Sequence, residues 1–165
     1  MDHVDRILAQ WRANRPDLDV DAMGVFGRLN RLHAHLSQRI AAVLAENAFT
    51  PAGFDVMATL RRSGPPYALT VSELLDWTMV TSGTMTNRLD KLEESGLITR
   101  TRNPDDGRGF VVALTDAGLA SVDAMATRHV ANQHALIDPL TRDERAQLDA
   151  LLAKWLAAFE PPKDD

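Results

Sequence analysis

Hydrophobic residues recur at helical spacing along the N-terminal third of the chain. Val4, Ile7, Leu8 and Trp11 form one apolar stripe and predict a first helix over 2–14. A longer stripe predicts a second helix over 22–46, and its apolar positions are Val25, Phe26, Leu29, Leu32, Leu36, Ile40 and Val43. Each helix therefore has one face that must be covered by another part of the protein.

Threonines predict where four further helices begin. Thr50 precedes a proline, which is typical of a helix N-cap followed by its first residue. Thr70 has a glutamate three residues later and Thr141 has the same spacing, so both predict capping boxes. Thr115 opens a helix that runs to about Leu136, and Pro139 breaks the pattern.

The middle of the chain combines two helices with two β-rich runs. The helix that follows residues 79–82 places Met85, Leu89 and Leu92 toward the core and ends at Gly96. The β-rich runs 97–102 and 110–114 are joined by a turn over 103–109. The order helix, turn, helix and hairpin is typical of a winged DNA-binding module. We therefore predict a mainly α fold with a small β-hairpin wing, that is, a winged helix-turn-helix.

Composition excludes several classes of site. The chain has 165 residues, of which 45% are hydrophobic, and no cysteine. Disulfides, thiolate zinc sites and cysteine nucleophiles are therefore excluded, and a reducing cytoplasm fits. We expect no signal peptide, since the start lacks a basic region followed by an apolar one, and no apolar run approaches the ~20 residues that span a bilayer. These observations predict a cytoplasmic protein without a membrane partner.

The distribution of charge favours a nucleic-acid partner more than the net charge of −5 does. Residues 1–21 carry three basic and five acidic side chains, and residues 141–165 carry four and six. The region between them concentrates arginines and one lysine: Arg28, Arg31, Arg39, Arg61, Arg62, Arg88, Lys91, Arg100, Arg102 and Arg108. A basic middle between acidic ends predicts modest DNA affinity with marked salt dependence.

No catalytic pattern emerges from the sequence. His33 and His35 do not share a helix face, and His129 and His134 are five residues apart, so neither is a good metal pair. There is no glycine-rich phosphate loop or nucleophile elbow. We therefore predict that the protein is not an enzyme and needs no cofactor. A winged helix that binds proteins instead of DNA remains an alternative, and the acidic pI of about 5.5 would suit it.

The second helix of the motif exposes short polar side chains suited to a DNA groove. Hydroxyls and amides contact base edges and phosphates, and an asparagine can bind adenine through two hydrogen bonds. The predicted contacts on this helix are Thr81, Ser82, Thr84, Thr86, Asn87 and Lys91. At the hairpin tip, Arg108 can enter a narrow minor groove while Asp106 holds it in place. The alternatives are a solvated polar face and an ordinary surface ion pair.

The terminal helices predict a homodimer. Residues 3–13, 115–136 and 141–159 carry more apolar surface than one small winged helix can bury. A twofold dimer would bury it and place two reading helices about one DNA turn apart, to match a palindromic operator. The alternative is a monomer with a helical cap. His33 could form a pH-sensitive pair at the dimer axis, although a partly exposed helix histidine is the simpler interpretation.

These motifs resemble the MarR family of dimeric winged-helix regulators over nearly the whole chain. Asp106-x-Arg108, followed by Val111, Leu114-Thr115 and Gly118, is similar to the family's wing pattern. The phrases QWRANRPDLD, FDVMATLRR, PYALT, MVTSGTMTNRLDKLE and GLITR resemble the PecS/HucR branch, which responds to urate and related purines. Gly107 departs from the pattern, since many relatives carry a second arginine there.

The resemblance implies an organisation and a mechanism. Residues 1–165 form a single MarR-like chain in which 50–114 is the winged-helix DNA-binding region and 1–47 and 115–159 are dimerisation helices. The implied ligand residues are Trp11, Asp55, Arg88 and Arg100. In the implied mechanism, Asp55 neutralises Arg88 until a purine anion competes for the two arginines and shifts the reading helix. A phenolic ligand in the same cleft is an alternative, as is a purely structural Asp55–Arg88 or Asp55–Arg100 ion pair.

Overall fold

A computed structural model describes residues 1–78, 82–104 and 109–160, and shows a mainly helical chain with a small sheet. The fold class predicted from the sequence is therefore confirmed. The elements in chain order are α1 (His3–Asn14), α2 (Asp21–Ala45), α3 (Pro51–Arg62), β1 (Ala68–Thr70), α4 (Val71–Trp77), α5 (Ser82–Glu94), β2 (Ile98–Arg102), β3 (Phe110–Leu114), α6 (Asp116–Ile137) and α7 (Arg142–Leu156).

The predicted threonine caps are present. The side chains of Thr50, Thr70 and Thr141 each accept a hydrogen bond from the backbone three residues later, and the last two complete capping boxes. The hydroxyl of Thr115 has two partners: it accepts from the Gly118 backbone N–H at 2.9 Å and donates to the Gly96 carbonyl at 2.8 Å. One side chain therefore caps α6 and connects its start to Gly96, which lies two residues after the end of α5.

The wing belongs to a three-stranded antiparallel sheet in the order β1-β3-β2. β3 pairs with β2 from Ile98 opposite Leu114 to Arg102 opposite Phe110, as the hairpin prediction requires. Its other edge pairs with β1, which the sequence analysis did not predict. β1 has only three residues, too few for an alternating pattern to be recognised.

The main hydrophobic core packs α2 and α6 against the sheet and the helix-turn-helix. Its buried members are Leu44, Phe49, Phe54, Val56, Met57, Leu60, Leu74, Met85, Leu89, Leu92, Ile98, Val112, Val122 and Met125. Met85, Leu89 and Leu92 are at most 7% exposed, so the predicted core face of α5 is confirmed. Each such side chain contributes roughly 1.5–3 kcal/mol by leaving water, which fixes α5 against the rest of the domain.

A smaller cluster attaches α1 to α2. Val4 and Leu8 are buried there, and the lack of side chains at Gly24 and Gly27 lets the two helices approach closely. Arg28 of α2 forms ion pairs with Asp2 and Asp5 at the start of α1. Of the predicted α1 stripe, Ile7 and Trp11 remain about 40% exposed within one chain.

A large apolar face is left uncovered on α2 and α7. The ring of Phe26 packs edge-on against Trp155 with 5.5 Å between ring centroids, which brings the two helices together. Around this contact the exposed apolar side chains are Val25, Leu29, Leu32, Leu151, Leu152, Leu156 and Phe159. We refer to Phe26, Trp155 and these seven residues together as the α2–α7 face. In the described ranges, no helix is both long and apolar enough to cross a membrane.

Candidate nucleic-acid interface

Helix α5 presents different residues to its different sides. With 3.6 residues per turn, Met85, Leu89 and Leu92 share the core side. Thr86, Asn87 and Lys91 are exposed, so three of the predicted DNA contacts have side chains accessible to a groove. Thr81 and Arg108 lie outside the described residues, and so do the side chains of Ser82 and Thr84; their predicted contacts stay predictions.

One flank of α5 forms a cleft with the start of α3. The cleft has a volume of about 520 Å³, and it is lined by Asn87, Arg88 and Lys91 of α5 and by Ser95 just after that helix. Phe49, Leu92 and Leu97 supply apolar lining. Among the residues that the structure describes, neither Arg88 nor Lys91 forms an ion pair with a carboxylate. Two unpaired cations above apolar walls suit a flat anion or a phosphate.

The other flank of α5 is tied to the wing by Arg100 of β2. The Arg100 Nη1 atom lies 2.7 Å from Asp90 Oδ1, and its Nε atom donates to Glu93 Oε2 at 2.9 Å. The backbone N–H of Arg100 also donates to Glu93 Oε1 at 3.1 Å. These bonds from Arg100 hold the pKa of Glu93 below its ordinary value, so that the carboxylate stays charged.

No ion pair or ring contact within the described residues joins the four residues predicted to bind the ligand. Arg88 lies in the α3–α5 cleft, whereas Arg100 lies on the wing side, held by Asp90 and Glu93. Asp55 is half-buried on α3, and in the described part of the chain it has no ion pair with either arginine. The structure therefore shows no Asp55–Arg88 ion pair among the described residues, and the role of the two residues in ligand binding stays a prediction. Trp11 lies on α1 and makes no ring contact with the other three within the described ranges.

Sequence analysis missed the carboxylates that hold Arg100. Asp90 and Glu93 are three residues apart, so they point to the same side of α5. This pair lies near the end of α5, and a short link then leads to a strand that carries an arginine. Such an arrangement indicates an ion pair between the helix and the strand.

The histidines lie in two different settings. His33 is exposed on α2 with Ser37 Oγ at 3.4 Å. His129 on α6 packs against the Phe54 ring, with 4.9 Å between ring centroids, and burial lowers its pKa. The surroundings of His129 therefore disfavour its charged form.

Comparisons with known proteins agree with this geometry. The MarR family model matches residues 49–110, nearly the predicted DNA-binding region. The HTH-type transcriptional regulator PecS of Dickeya dadantii is 36% identical over 151 residues, which cover 92% of this chain and 91% of PecS. A structure of a MarR variant from Escherichia coli complexed with operator DNA is 30% identical, with a TM-score of 0.72 and coverage of 83% and 97%. A MarR family regulator from Streptomyces coelicolor in complex with DNA has a TM-score of 0.78 at 21% identity, with coverage of 90% and 93%.

Proposed function

The chain belongs to the MarR family of winged helix-turn-helix transcriptional regulators, where it is PecS-like, and from that premise we propose a specific role. The protein is a repressor that binds a palindromic operator as a homodimer and is released by a small anionic ligand such as urate or a related purine. It is a DNA-binding regulator and not an enzyme. Because a transcriptional regulator must be in the compartment that contains its operator DNA, we also propose a cytoplasmic location.

The DNA-reading part of the proposal is supported by the exposed side of α5. Asn87 carries the donor and acceptor that an adenine edge requires, and Lys91 can reach a phosphate. Thr86 adds an exposed hydroxyl on the same helix. The predicted groove contacts of Thr81, Ser82, Thr84 and Arg108 lie outside the described residues or side chains, and they stay in the proposal as predictions. Residues 50–114 are the proposed DNA-binding region.

The α2–α7 face supports the homodimer. A contiguous apolar surface that includes Phe26, Leu152 and Phe159 is far better buried than exposed. A second copy can bury it symmetrically, and a twofold axis gives two reading helices spaced by about 34–36 Å, one turn of DNA. Residues 1–47 and 115–159 are the proposed dimerisation helices.

The observation that carries the ligand proposal is the position of Arg88. This arginine lines an amphipathic cleft and belongs to the DNA-reading helix itself. An anion bound there would occupy a cation of α5 and bias its position. The coupling would need a difference in ligand affinity of ~1–3 kcal/mol between free and DNA-bound states. Trp11, Asp55 and Arg100 stay in the proposal as ligand residues that a rearranged or dimeric state would have to bring closer.

A phenolic anion is the second candidate ligand for the same reason. The apolar lining from Phe49 and Leu92 can pack against any flat ring, and the guanidinium of Arg88 can donate hydrogen bonds to any small carboxylate. A protein-interaction module remains the alternative from another functional class.

The test is fluorescence anisotropy with a labelled palindrome from the region upstream of the gene. We expect salt-sensitive binding that urate or xanthine reverses, with salicylate as the phenolic comparison. Arg88→Ala should abolish the ligand response, whereas Arg31→Ala, an exposed arginine on α2, should keep it. Absence of salt-sensitive binding at any upstream palindrome would favour the protein-interaction alternative. A response unchanged by Arg88→Ala would refute the ligand site.

A further inference from the structure

Arg100 directs its guanidinium toward the reading helix. Nη1 approaches Asp90, while Nε and Nη2 both donate to Glu93. Only 24% of the Arg100 side chain is exposed. A guanidinium whose three nitrogens already face carboxylates has little donor capacity left for a phosphate.

The bonds of Arg100 join two separate parts of the DNA-binding region. Asp90 and Glu93 belong to α5, and Arg100 is the middle residue of β2. Glu93 also accepts the Arg100 backbone N–H, so the strand is held through its main chain as well as its side chain. Because β2 is paired with β3 along five residues, whatever fixes β2 to α5 fixes the wing to α5.

We infer that Arg100, Asp90 and Glu93 form a clamp that sets the angle between α5 and the wing, and that Arg100 is a positioning residue for DNA binding. The inference rests on the proposed DNA binding and concerns residues that do not touch DNA. A major-groove helix and a minor-groove wing must engage one duplex together, so their relative angle affects affinity. Two negative charges on the reading helix then strengthen DNA binding although they repel phosphate.

The two opposite effects of these carboxylates on DNA binding can be separated by comparing two adjacent glutamates. Glu93 is clamped, whereas Glu94 is exposed and has no partner in the described part of the chain. Electrostatics alone predicts that either Gln variant binds DNA equally well or more tightly, because a negative charge is lost. The clamp predicts that Glu93→Gln weakens operator binding by roughly 3- to 30-fold, the range expected for residues that act without ligand contact. Glu94→Gln should bind at least as tightly as the wild type.

Salt dependence distinguishes positioning from phosphate contact. If Arg100 held a phosphate, Arg100→Gln would lower the slope of log affinity against log salt by about one. The clamp predicts lower affinity at an unchanged slope. Exchange of the two charges, Glu93→Arg with Arg100→Glu, should recover part of the affinity lost in either single variant.

A measurement without DNA keeps this inference separate from the proposed function. Hydrogen exchange should be faster in β2 and the last turn of α5 in Glu93→Gln, with the rest of the fold and the melting temperature near those of Glu94→Gln. If Glu93→Gln unfolds, Asp90→Asn and Arg100→Lys take its place. Equal DNA affinities for Glu93→Gln and Glu94→Gln would overturn the inference, provided that the wild type binds. Failure of the wild type to bind any palindrome would instead refute the proposed function.

Discussion

The backbone of Leu97 leaves no room for a side chain on Gly118. A Cβ built on Gly118 would overlap the Leu97 carbonyl oxygen and lie 2.9 Å from its carbonyl carbon. The same carbonyl accepts the backbone N–H of Thr115 at 3.1 Å, so the link after α5 and the start of α6 are in direct contact. Glycine at position 118 is required by this approach and not by its backbone angles.

Gly118→Ala should therefore destabilise the protein by more than about 2 kcal/mol, because neither backbone can yield without losing the α6 cap. Urea denaturation measures the change. Gly24→Ala is the matched control, since its Cβ would meet the ends of two flexible side chains, Leu8 at 3.2 Å and Arg28 at 3.3 Å, and no backbone atom of another segment. Comparable losses in the two variants would contradict the account of Gly118.

Stability should fall as the pH drops below about 6.5 because of His129. Burial lowers the pKa of His129 in the folded state, so the unfolded chain binds a proton more readily. The stability that the neutral ring contributes is present above the unfolded pKa and is lost as pH falls toward the folded pKa. His129→Gln should flatten the dependence of the urea midpoint between pH 7 and 5. His35→Gln, an exposed control, should retain it.

Asn87 and Lys91 should differ in how their loss affects DNA binding. Asn87→Ala should cost about 1–3 kcal/mol on the best operator and reduce discrimination at one base pair, as expected for a base contact. Lys91→Ala should weaken all sequences alike and lower the salt slope by about one, as expected for a phosphate contact. Anisotropy titrations on operator and single-substituted duplexes at several salt concentrations separate the two. Identical profiles would show that one of the two assignments is wrong.

A charge within the α2–α7 face should break the proposed dimer. Leu152→Glu places a carboxylate in a surface that two copies would bury, and leaving a buried charge unpaired is costly. Sedimentation should show monomers for Leu152→Glu and dimers for the wild type. Phe110→Gln removes an exposed aromatic side chain from the wing and should remain dimeric. A monomeric wild type would remove the basis of the homodimer.

The sequence predicted local structure well because local structure depends on neighbouring residues. Thr70 with Glu73, or Met85 with Leu89, signals its role within one or two helical turns. Relations across elements were harder to predict. Arg88 and Arg100 were predicted to share a ligand, yet in this chain Arg88 lines the cleft beside α3 while Arg100 contacts carboxylates on α5, because the side that a residue faces depends on tertiary packing. β1 was missed since its extended form is fixed by pairing with β3.

The hydroxyl of Thr115 has a mechanical consequence. It joins the end of the α5 segment to the first turn of α6, a helix of 22 residues. At 1.5 Å per residue α6 is about 33 Å long, so a tilt of ~5° at Thr115 would displace its far end by about 3 Å. In the proposed dimer, a rotation of α6 about its first turn, which lies beside the reading helix α5, would produce a larger displacement at the far end of α6. Small rotations at Gly96 and Thr115 would then change the separation of the two half-site readers.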